Sequence, residues 1–105
     1  MQETTLNKEL IFARLKRSKS TLEKYGVDQM GLFGSFARDE GRDNSDIDFL
    51  VDFKPGMKTF DNVMELSFFL TELFQRKVEI LTRKGLSPYI GPRIMNSVEY
   101  VPFAD

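Results

Sequence analysis

Between Leu6 and Tyr25 apolar residues recur at Leu6, Leu10, Phe12-Ala13, Leu15 and Leu22 among lysines and arginines. That ragged stripe at helical spacing predicts one first helix, which Gly26 stops. Val27 to Phe33 then reads as a strand. The run Ile47-Asp48-Phe49-Leu50-Val51 is rich in β-branched and aromatic residues, so Asp46 to Phe53 is predicted as a second strand. Alternation puts Ile47, Phe49 and Val51 on a core-facing side and Asp46 with Asp48 on the other, roughly 6.6 Å apart at Cα. Between these strands, Gly34 to Ser45 reads as a turn with a short helix over Phe36 to Glu40.

Lys54-Pro55-Gly56 breaks the chain. Thr59 is an N-cap candidate and Asp61 falls in the first turn of a long helix from Phe60 to Phe74 or Gln75. Val63, Leu66, Leu70 and Leu73 give it one apolar face. Met64, Phe68, Phe69 and Phe74 widen that face beyond a single stripe, a surplus that fits core packing or a partner surface. Lys77 to Leu81 is a third strand, joined to the acidic strand through a helix and so its parallel neighbour by a right-handed crossover. Glu79 alternates against Val78 and Ile80 and would share the face of Asp48. Gly85 to Pro88 is a turn, Tyr89 to Met95 a short helix, and Ser97 to Phe103 a last short strand with Val98, Tyr100 and Val101 against the sheet. The fold class expected is α/β (α+β), a small mixed β-sheet flanked by helices in the order α-β-α-β-α-β-α.

The 105 residues read as one domain spanning 1–105, without room for a second substrate-binding domain. Hydrophobic content of 41% and charged content of 30% are ordinary for a globular protein, and a net charge of −1 gives no strong nucleic-acid signal. The basic cluster Arg14, Lys16, Arg17 and Lys19 reads as a solvated helix face. With no cysteine, thiolate sites are excluded; with no histidine either, zinc chemistry is not expected and any metal work falls to carboxylates with Mg²⁺ or Mn²⁺. No signal-peptide pattern and no long apolar run is present, so a cytoplasmic location without membrane contact is expected.

Chemistry concentrates between Gly34 and Phe53. Two carboxylates side by side at the entrance to a buried strand repel each other and lose hydration, so they call for a cation, and hard oxygen ligands suit Mg²⁺. Gly34 sits where the first strand gives way to a turn, where glycine permits positive φ and close approach of a ligand to the backbone. The following N–H groups and the Ser35 hydroxyl could cradle phosphate oxygens, with Arg38 one helical turn away on the same side. A phosphate site beside a metal site is the equipment of phosphoryl or nucleotidyl transfer.

Gly34-Ser35, ten residues, then Asp46-Ile47-Asp48 resembles the signature of the nucleotidyltransferase superfamily typified by DNA polymerase β. The fuller wording GSFAR, Glu40, Arg42 and SDIDFLV is similar to the minimal nucleotidyltransferase (MNT) antitoxins paired with HEPN toxins, over about Val27 to Val101. The resemblance implies ATP as co-substrate and two Mg²⁺ ions held by Asp46, Asp48 and Glu79 as catalytic and metal residues. Gly34, Ser35 and Arg38 would hold the phosphates. It implies a HEPN ribonuclease toxin as partner, neutralised by adenylylation of a tyrosine, with a binding-only antitoxin as the alternative. The third carboxylate of that superfamily is usually an aspartate, and Glu79 departs from it by one methylene.

Overall fold

A computed structural model describes residues 6–42, 44–89 and 91–103. Helix α1 spans Lys8–Arg17 and starts where the Asn7 side chain accepts the Leu10 N–H at 2.8 Å. A second helix, α2, covers Lys19–Lys24. The single helix predicted over Leu6 to Tyr25 is therefore two, parted at Ser18 (φ −99°, ψ 14°), a residue type that holds a helix interior weakly. The stripe also needs correction, since Ile11 is fully buried while Ala13 is exposed.

Strand β1 is Val27–Phe33 and β2 is Ile47–Phe53, so Asp46 lies one residue before the strand assigned to it. The two run antiparallel, with Leu32 opposite Phe49 and Phe33 opposite Asp48. Helix α3, Phe60–Phe74, has the predicted bounds. The Thr59 hydroxyl accepts the Asn62 N–H at 3.1 Å, Asp61 sits in the first turn, and Gln75 closes the helix in the left-handed region. Strand β3, Val78–Leu81, follows and lies parallel to β2 with Asp48 opposite Glu79, as the crossover argument required. After a 3₁₀ turn at Arg83–Gly85 come α4, Gly91–Ser97, and β4, Glu99–Tyr100, which pairs antiparallel with β1.

The sheet order is β3-β2-β1-β4. Its core face carries Met30, Leu32, Ile47, Phe49 and Val51, closed over by Ile11, Leu15 and Leu22 and by Leu66, Leu70 and Phe74 of α3. Leu50 projects to the opposite face with Asp48, yet it too is buried.

Three further expectations change. Residues Phe36 to Glu40 form turns, not a helix: the Arg38 N–H is shared between the Gly34 and Ser35 carbonyls, and Asp39 takes a positive φ of 57° that no helix continues through. The helix placed at Tyr89 to Met95 begins at Gly91, with Pro92 in its first turn, where the missing N–H leaves no helical bond unmade. The last strand shrinks to two residues, although Val98 and Tyr100 do crowd over Gly31 and Val101 is buried. The observed order is α-α-β-β-α-β-α-β.

Candidate active site

The site forms where β1 ends and β2 begins. At Gly34 the backbone turns with φ +77°, and a Cβ there would collide with the Asp48 carboxylate and lie 3.2 Å from its Cγ. Glycine is thus demanded twice, by the conformation and by the acid behind it. The next N–H groups, those of Ser35, Phe36 and Ala37, have no backbone acceptor among the described residues. Three successive donors left open in a turn are the arrangement that takes an anion.

Asp48 is the centre of the acidic group. Burial in the sheet pushes its carboxyl up to about 6, and a shared hydrogen bond and repulsion from Glu79 add to this, followed by repulsion from Asp46. Arg38 opposes them. Parallel register brings Glu79 to this position, since β3 places it directly across from Asp48. Asp46 is half-buried, and its Oδ2 lies 3.8 Å from Lys77 Nζ. Arg38 Nε donates to Glu40 Oε1 at 2.9 Å on the exposed rim.

The donor set suits a hard divalent ion in type: three carboxylates, with Asp48 and Glu79 directly across from each other in the sheet. Among the described residues, no three such side chains converge closely enough to close around one ion, because Asp46 leans to Lys77 while Asp48 and Glu79 engage each other. Gly34, Asp48 and Glu79 are brought together, Asp46 and Arg38 stand beside them, and Ser35 begins the open turn.

One residue escaped the sequence reading. Arg76 sits between the end of α3 and β3, and its guanidinium donates to the Arg42 carbonyl at 2.9 Å and the Ser45 carbonyl at 3.1 Å. The same group lies over the Phe36 ring, 5.2 Å from its centroid. It therefore clamps both the turn after Gly34 and the residue before Asp46. Its targets are 31 and 34 positions away in sequence, so no local pattern could reveal them.

Comparison with known proteins identifies the family. Residues 14–101 fit the nucleotidyltransferase domain family, and the chain belongs to that family; it is a nucleotidyltransferase. Among its relatives are MJ0435 of Methanocaldococcus jannaschii, named as a candidate protein adenylyltransferase, 39% identical over 75 residues (71% of this chain, 80% of the relative). Protein adenylyltransferase MntA of Thermococcus cleftensis is 34% identical over 85 residues (79% and 83%). A solved protein described as a candidate minimal nucleotidyltransferase superposes with a TM-score of 0.76 at 30% identity, over 90% of this chain and 95% of the other. Among the described residues, no helix is long and apolar enough to cross a membrane.

Proposed function

We propose that this chain is a protein adenylyltransferase antitoxin that transfers AMP from ATP, with Mg²⁺, to a tyrosine of a HEPN ribonuclease toxin. The observation that carries the transfer chemistry is the Gly34 turn pressed against Asp48 with Glu79 in register beside it. The protein substrate is supported by the names of the relatives, MntA among them. The toxin rests on the likeness of GSFAR and SDIDFLV to the MNT antitoxins.

In the reaction, the acceptor oxygen forms a bond to the α-phosphorus as the bond to pyrophosphate breaks in line. The open N–H groups of Ser35, Phe36 and Ala37, with the Ser35 hydroxyl, hold the β- and γ-phosphates. Arg38 offsets charge on the departing pyrophosphate. Asp46, Asp48 and Glu79 would hold Mg²⁺ only once Asp46 turns from Lys77 towards the other two, and the ion would then stabilise charge on the entering and leaving oxygens. Glu79, exposed at the rim, would accept the proton of the incoming hydroxyl.

Incubation with the toxin, ATP and Mg²⁺ should add one AMP mass to a toxin tyrosine, and Asp46→Asn/Asp48→Asn should abolish it. Equal ATP affinity with and without Mg²⁺ by calorimetry would remove the metal reading. If the double variant neutralises the toxin as well as the parent and no tyrosine is modified, neutralisation is by contact alone.

A further inference from the structure

Helix α3 has four rows of side chains, and three are accounted for. Leu66, Leu70 and Phe74 face the core. One flank is filled by neighbours: Phe69 packs 6.2 Å from the Tyr25 ring, and the Asn62 amide donates to the Met57 carbonyl at 2.8 Å. The solvent ridge carries Asp61, Glu65 and Glu72, all exposed. The fourth row, Phe60, Met64 and Phe68, repeats at i, i+4, i+8 and so forms one continuous strip. Phe60 is 78% and Phe68 60% exposed. The filled flank meets Tyr25 and Met57, and this strip lies on the other side of the helix.

We propose that this strip is the docking surface for the toxin, which presents to it an apolar surface rimmed by lysine or arginine. The proposal rests on the toxin reading above and adds where the partner sits and what chemistry it offers. Charge decides the occupant. From Phe60 to Phe74 there are three acids and no lysine or arginine. An antiparallel two-fold pair of this chain through the strip would set the ridge of Asp61, Glu65 and Glu72 against its own copy with no basic side chain on the helix to offset it, Lys58 before the helix being engaged with Thr82. A partner with a basic rim turns the same ridge into attraction and steering. Two exposed aromatics on one rigid helix, with a methionine between them, also have the make-up of interface anchors.

The test uses the full chain with a HEPN-type toxin as partner, and Phe60→Asp/Phe68→Asp as the variant. Because both rings are exposed, the variant should keep the parent's melting temperature and its Mg²⁺-ATP affinity. Its affinity for the toxin should fall by about 100-fold or more, the scale of losing two anchor residues. Glu65→Lys/Glu72→Lys should weaken binding by about 10-fold and flatten its salt dependence. Toxin binding that is unchanged in the aromatic variant, while the parent still modifies the toxin, overturns the surface and leaves the functional reading standing. A parent that makes no complex overturns both. Binding strengthened by the charge reversal overturns the basic rim. A parent that dimerises alone, with the dimer lost in the aromatic variant, makes a second copy the occupant instead.

Discussion

Replacing Arg76 by alanine removes a clamp that acts on two sides of the site. Two hydrogen bonds from a charged donor to the Arg42 and Ser45 carbonyls are lost, one exposed and one part-buried. After discounting for solvent, these together contribute about 2–3 kcal/mol, and the contact with Phe36 adds roughly 0.5–1. Against this, Arg76 Nε is buried without an acceptor among the described residues, a cost of about 1 kcal/mol that alanine relieves. The net expectation is destabilisation by about 2 kcal/mol, which for a chain of this size lowers the melting temperature by roughly 9 °C. Arg76→Lys keeps the charge but not the planar fork, and should lose about half of that. Thermal unfolding by circular dichroism measures the stability, and calorimetry measures ATP binding on the same samples. Because the clamp fixes the residues next to Gly34 and Asp46, ATP affinity should fall at temperatures where the variant is still fully folded. A melting temperature within 2 °C of the parent with unchanged ATP affinity would refute the reasoning.

Gly34→Ala should cost about 1–3 kcal/mol in backbone strain and push the Asp48 carboxylate aside, so stability and ATP binding should fall together in denaturation and calorimetry. Asp48→Asn, without added metal at pH 7.5, should stabilise the fold by about 1 kcal/mol. It removes a charge that burial and Glu79 disfavour, and the half-exposed position screens the rest of the effect, so a lower melting temperature would contradict the crowding described here. In urea unfolding, Ile11→Ala should cost about 2–5 kcal/mol, whereas Ala13→Ser should change stability by less than about 0.5 kcal/mol.

What the chain determines by itself is local or periodic. Thr59, Asp61 and the apolar spacing after them place both ends of α3 to within a residue, because capping and helical period act over a few positions. The alternation around Asp48 and Glu79 gives both strands their faces, and the intervening helix gives them a parallel register. Gly34 announces its turn because few other residues accept that φ. What only the tertiary structure decides depends on groups far apart in sequence. The collision that forbids a side chain at Gly34 comes from an acid fourteen positions away. The clamp by Arg76, the lean of Asp46 towards Lys77 and the rise of the Asp48 carboxyl arise from packing and burial, which no sequence window contains. So does the sorting of the surplus aromatics: the pattern of α3 shows too many, but only the neighbours Tyr25 and Met57 show which flank is filled and leave Phe60 and Phe68 in solvent.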